Sequence, residues 1–206
     1  MIWWIAGGLL ILAYLLGSLP TGFAIAKIFQ GIDIREHGSG NTGATNVFRV
    51  VGKPAGITVL VIDLLKGLTA VLLARWTMGY LESAAEFSTW VQTLVALLAI
   101  LGHSRSIWLN FTGGKSAATG LGVLLALAWP AGLGAAAVFA IIFAVSRTVS
   151  LGSISAATAA PLLMFLTGQP LPFKLLALLA GIYVIVRHRS NISRLLAGTE
   201  PKLGSS

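Results

Sequence analysis

Three polar stretches interrupt an otherwise apolar chain, and each carries side chains suited to holding an anion. The first, GSGNTGATNVFR, runs from Gly38 to Arg49. Gly38, Gly40 and Gly43 permit positive φ and a close approach of backbone to ligand, and successive amide N–H groups in such a turn form an anion-binding nest. Ser39, Asn41, Thr42, Thr45 and Asn46 add short donors, and Arg49 can fork onto a phosphate or carboxylate. The same residue types build ordinary surface turns, so this stretch alone leaves a ligand site and a plain loop both open. Its spacing is neither that of a P-loop nor that of a dinucleotide fingerprint.

The second stretch, FTGGKSAATG, runs from Phe111 to Gly120. Gly113 and Gly114 precede Lys115 at the head of an apolar run, which predicts a helix N-terminus whose free amides and positive dipole end suit a phosphate. The plainer alternative is that Lys115 only snorkels as a membrane anchor. In the third stretch, RHRSNISRLLAGTEPK from Arg187 to Lys202, His188 stands among arginines and is the candidate general base. If Arg187 to Leu196 continues as one helix, His188 and Asn191 share a face and can serve one site. A solvated basic tail is the alternative. Glu200 reads as a partner for one of the basic residues. Ser153, with Ser150 and Ser155, can donate to a ligand or cap a helix.

Asp63 and Lys66 fall inside an apolar run, where charges are costly unless paired, and they read as an ion pair bracing the site; a proton relay is the sharper option. His103 reads as satisfying a backbone carbonyl. His37 near Asp33 and Glu36 is a weak metal pattern. No metal and no cofactor are expected.

What must position these groups follows from composition. With 206 residues, 56% hydrophobic and 10% charged, the chain has too few polar side chains to cover a soluble surface. Spanning helices remove that requirement, because each satisfies its own backbone in lipid. The absence of cysteine excludes disulfides and thiol catalysis. A formal charge of +8 could suit nucleic acid, but no Lys/Arg stripe lies on an amphipathic helix or among aromatics, so no nucleic-acid partner is expected. Met1 to Leu16 lacks a basic n-region and cleavage pattern and reads as a retained first helix.

Apolar runs at about Trp3 to Ile28, Gly56 to Met78, Phe87 to Gly102, Ala117 to Trp129, Ala131 to Val145, Ser153 to Leu166 and Phe173 to Val186 predict an all-α, polytopic membrane helix bundle of about seven spans. Six spans remain open if Pro130 merely kinks one long segment. Basic residues flanking the runs place the N-terminus outside and the C-terminus in the cytoplasm, with all three polar stretches on the cytoplasmic side.

No His is followed five residues later by Asp, and there is no G-x-S-x-G elbow and no aspartate-rich string for two metals. An enzyme built this way works by positioning and charge. Two other classes stay open: an organic-anion permease gated by the cationic turns, and a non-catalytic binder of anionic lipid headgroups.

Taken in order, GSGNTGATNVFR, GGKSAAT and HRSNISRLLAGTEPK resemble the bacterial acyl-phosphate:glycerol-3-phosphate 1-acyltransferases, the PlsY family, over essentially the whole chain. The resemblance implies one integral-membrane domain over residues 1–203, with Gly204 to Ser206 a tail, in the bacterial inner membrane with its active site on the cytoplasmic side. It implies transfer of a fatty acyl group from acyl phosphate to the 1-hydroxyl of glycerol 3-phosphate. The products are lysophosphatidic acid and phosphate, in the first step of phospholipid synthesis, with a monomer as the working unit. It assigns catalysis to His188, Asn191 and Ser39. Substrate binding falls to Gly38, Gly40, Asn41, Thr42, Gly43, Thr45, Asn46, Arg49, Gly113, Gly114, Lys115, Thr119, Ser153 and Glu200. An acyl phosphate is already activated, so alignment and oxyanion stabilisation are the main tasks. Either His188 takes the hydroxyl proton, or a substrate phosphate oxygen takes it and His188 orients; the flanking Arg187 and Arg189 favour the second. One departure is visible. The family typically has Gly and Val after the lysine, where this chain has Ser116 and Ala117, and serine tolerates positive φ poorly.

Overall fold

The computed structural model describes residues 1–82 and 85–204, which form helices joined by short connections; Ser205 and Ser206 of the expected tail lie outside the described residues. The chain is an all-α membrane protein that divides into two compact units, Met1–Val123 and Leu124–Ser206.

The first unit contains α1 (Ile2–Ser18), α2 (Thr21–Gln30), α3 (Ala44–Val50), α4 (Lys53–Tyr80) and α5 (Ala85–Ser104). The opening apolar run is broken between α1 and α2 because Pro20 has no N–H to donate, and the Leu19 N–H turns back to Leu16 O. Helix ends leave carbonyls without intrahelical donors. Two such carbonyls are met here from other elements: Ser106 Oγ donates to Ser18 O at 2.6 Å and Lys66 Nζ to Leu19 O at 3.2 Å. α1 and α5 pack closely through small residues, since a Cβ at Gly17 would strike the Ala99 backbone and one at Gly102 the backbone of α1. At one end of α4, buried Ala26, Ile34, Val47, Ala55 and Val59 form an apolar core that fixes α2, the Ile34–Glu36 turn and α3 on α4. The loop from Gly38 to Gly43 is spanned between two of those fixed elements.

The unit boundary falls inside α6 (Ala117–Leu127), whose Gly122 lies against the Leu64 carbonyl of α4. In the second unit, α7 (Trp129–Ser146) packs on α8 (Val149–Leu166), and α8 on α9 (Leu171–Arg187); α10 (Arg189–Leu196) follows. Pro161 inside α8 removes the donor that Ala157 O would otherwise receive, and Gly181 of α9 is seated against that carbonyl.

Among the described residues, five helical stretches are long and apolar enough to cross a membrane, or six if α9 and α10, bent by 60° at His188, count as one. One of the expected spans, and the alternative built on Pro130, differ from this. The Ala117 to Trp129 run forms only the 11-residue α6, well short of the ~20 residues a crossing needs. Pro130 does not kink a continuous segment, because the chain breaks at Ala128 and restarts with Pro130 in the first turn of α7. Large apolar side chains stay exposed along the helices, with Trp4, Trp76 and Trp129 among them, as a lipid-facing surface allows.

Candidate active site

In the first unit the loop is built around one side chain. Asn46, 3% exposed on α3, donates its amide to Ile34 O at 3.3 Å, His37 O at 3.0 Å and Asn41 O at 2.9 Å, while its Oδ1 accepts from Ser39 N–H at 2.9 Å. Asn41 Oδ1 accepts from Gly43 N–H at 2.8 Å, closing an Asx turn. Gly38 and Gly40 take φ of +61° and +68°, and a Cβ at Gly38 would collide with the Asn46 amide. Gly43 differs from expectation, because its φ is −79° in extended backbone before α3. These bonds make Asn46 a staple of the cradle.

The cradle opens on a cavity of about 340 Å³ lined by Gly40, Thr42, Thr112 and Gly113 together with Asp33, Arg35 and Glu36. The first and second polar stretches therefore meet at one hollow. Asp33 accepts from Arg35 backbone N–H at 3.0 Å, from Arg35 Nε at 3.0 and 3.1 Å, and from Nη2 at 2.6 Å; the guanidinium also lies over the Phe23 ring. Those side-chain and backbone hydrogen bonds hold the Asp33 carboxyl at about 2, and the same pairing raises Arg35 above its ordinary value. The Asp33–Arg35 pair thus stays ionised at neutral pH. In the sequence, Asp33 and Glu36 stand out only as a weak metal pattern with His37, and Arg35 is one of the basic residues that flank the apolar runs. The His37 ring nitrogen is 3.0 Å from Asp33 O, and no metal-ligand cluster of three or more groups occurs among the described residues.

Beneath Gly113 and Gly114 the backbone is packed to contact. Gly114 N–H donates to His103 O at 3.2 Å, and a Cβ at Gly114 would overlap the His103 imidazole. That ring faces Asp63, with Nδ1 3.6 Å from Oδ1, and Asp63 lies 2.9 Å from Lys66 Nζ. The paired charges of α4 therefore stand directly behind the second glycine turn. Thr119 is wholly buried, with its carbonyl against Gly67 of α4, so it packs the helix and does not line the cavity. Lys115 and the exposed Arg49 flank the hollow in sequence without being among its lining residues.

The second unit has a polar cluster of its own. His188 and Asn191 are buried, but not on one continuous helix, since the chain bends at His188. The His188 Nδ1–H donates to Val184 O at 2.7 Å, which leaves the lone pair of the neutral ring on Nε2. Glu200 accepts from Ser150 Oγ at 2.7 Å, Asn191 Nδ2 at 2.5 Å and Arg194 Nε at 2.7 Å. Burial works against its charge, yet those three hydrogen bonds outweigh it and hold Glu200 below the usual carboxylate range. Ser150, not Ser153, makes the hydroxyl contact to Glu200; Ser153 is buried on α8.

Residues 7–198 match the family model described as glycerol-3-phosphate acyltransferase. The chain belongs to the glycerol-3-phosphate acyltransferase family. Within it, the chain is 54% identical to the glycerol-3-phosphate acyltransferase of Acaryochloris marina, over 98% of this chain and 95% of that one. It is also similar to two crystal structures of PlsY, an integral membrane glycerol 3-phosphate acyltransferase. The glycerol 3-phosphate form aligns with a TM-score of 0.88 at 42% identity, covering 97% of this chain and 96% of that chain. The lysophosphatidic acid form aligns with a TM-score of 0.85 at 41% identity, covering 97% and 95%. Family membership makes this chain a membrane acyltransferase of lipid synthesis.

Proposed function

We propose that this chain moves a fatty acyl group from acyl phosphate to the 1-hydroxyl of glycerol 3-phosphate, as a monomer in a bacterial inner membrane with its site on the cytoplasmic side. The hydroxyl oxygen attacks the acyl carbonyl, the bond from carbonyl carbon to phosphate oxygen breaks, and the hydroxyl proton leaves with inorganic phosphate. Lysophosphatidic acid is the other product.

The observation that carries this reading is the hollow in which Gly40, Thr42 and Gly113 meet beside Arg35. Backbone amides of the two glycine turns suit a phosphate ester; because Arg35 is held by Asp33 and Glu36 shares the lining, the cationic charge is assigned to Arg49 and Lys115, nearby in the chain. To Ser39, Asn41, Thr45 and Gly114 we assign the shaping of the two turns around it. The two PlsY structures, with glycerol 3-phosphate and with lysophosphatidic acid, hold molecules that differ by one acyl group, which supports the same acceptor here. To His188 and Asn191 we assign the acyl-transfer chemistry of the second unit, to Glu200, held by Ser150, the support of Asn191, and to Ser153 a place in substrate binding.

The test is phosphate release by the purified protein in lipid, given palmitoyl phosphate with and without glycerol 3-phosphate, and palmitoyl-CoA as rival donor. Release that requires the acceptor and fails with the CoA ester is expected. Turnover with the CoA ester alone would overturn the choice of donor.

A further inference from the structure

Ser116 adopts φ +62° immediately after Lys115 and is wholly buried. A side chain in the left-handed region costs about 1–2 kcal/mol, so something must hold it there. Its carbonyl accepts from Gly120 N–H at 2.8 Å, which puts Ser116 at the cap position of α6. A serine cap ordinarily sits in extended backbone and turns its hydroxyl onto an N–H of its own helix. Ser116 instead donates across to Ile100 O of α5, at 2.8 Å. On the other side of Lys115, Gly114 N–H is tied to His103 O, near the end of the same helix. Lys115 is thus bracketed by two tethers to one turn of α5.

We propose that Ser116 is a positioning residue: its hydroxyl, anchored on Ile100, holds its own backbone in the left-handed form and so aims Lys115 at the acceptor phosphate. The second half of that statement rests on the reading that this turn holds phosphate. Glycine reaches the same φ without cost and needs no tether. Alanine keeps the cost and loses the bond.

Hydrogen exchange over residues 113–117 and steady-state kinetics for glycerol 3-phosphate, in the full chain in nanodiscs, compare Ser116→Ala and Ser116→Gly. Ser116→Ala is expected to speed exchange in the turn and to raise KM about 5- to 10-fold with kcat little changed, the size of one lost hydrogen bond. Ser116→Gly is expected to hold KM within about 2-fold, because the conformation no longer carries a penalty. Wild-type exchange in Ser116→Ala overturns the tether. A Ser116→Gly protein whose KM rises about 5-fold or more over wild type overturns the proposal too, and decides the matter even if the alanine protein does not fold. Faster exchange at unchanged KM in Ser116→Ala upholds the tether and removes the turn from the phosphate site.

Discussion

Asp63 and Lys66 stand one turn apart on α4 at 2.9 Å, each side chain only 3% exposed. Removing one member of a buried pair strands the other, a loss of about 3–5 kcal/mol, whereas replacing both with apolar groups of similar size is often neutral. Asp63→Ala or Lys66→Ala is therefore expected to lower unfolding stability by that order in detergent, and Asp63→Leu with Lys66→Met to recover most of it. A double variant as unstable as either single one would mean that the pair also supports the fold through Leu19 O and His103.

Asn46 makes a sharper case, because its two sides have opposite hydrogen-bonding requirements. Three backbone carbonyls face Nδ2 and one N–H faces Oδ1. Asn46→Asp keeps the acceptor and sets a carboxylate oxygen against those carbonyls, so it is expected to be worse than Asn46→Ala despite the smaller change in shape. Hydrogen exchange across residues 38–43 should rank the two, and KM for glycerol 3-phosphate should rise in the same order.

Glu200 gives a pH-dependent signature. Its folded pKa lies below the ordinary glutamate value, so the stability it contributes is present above the unfolded pKa and is lost as pH falls through the folded one. The thermal midpoint of the wild-type protein should drop between neutral pH and the acid side of the ordinary glutamate range. Glu200→Gln should start lower and fall less, so that the two curves approach each other in acid. Parallel curves would mean that the carboxylate charge is not what Ser150, Asn191 and Arg194 are gathered around.

The membrane class and the three polar stretches were legible because composition and hydropathy need no tertiary information. The division of labour within the stretches was not. Asn41 and Asn46 are the same residue type in the same polar stretch, and only the carbonyls of Ile34 and His37, brought in by the turn before the loop, make one of them the staple. Arg35 enters the cavity because Asp33 and Phe23 fix its guanidinium, a local pairing that carries no spacing signature. The bend at His188 was invisible because Arg187-His188-Arg189 holds neither proline nor glycine, the usual causes of a break. Ser116 was flagged by its departure from a glycine, and its compensation by Ile100 O needed coordinates.

His188 separates the two proton-transfer schemes. Its Nδ1–H is committed to Val184 O, so the neutral ring presents Nε2 as an acceptor, the tautomer that either a base or an orienting group would use. A general base supplies about 100-fold or more of the rate. If a substrate phosphate oxygen takes the proton instead, His188 only aligns the hydroxyl. We expect the second case: His188→Gln, which retains an acceptor on the side chain, should keep most of kcat, while His188→Ala should lose about 10-fold or less. Single-turnover kinetics with palmitoyl phosphate and glycerol 3-phosphate read the chemical step directly. A loss of about 100-fold in both variants would make His188 the base and remove phosphate from that role.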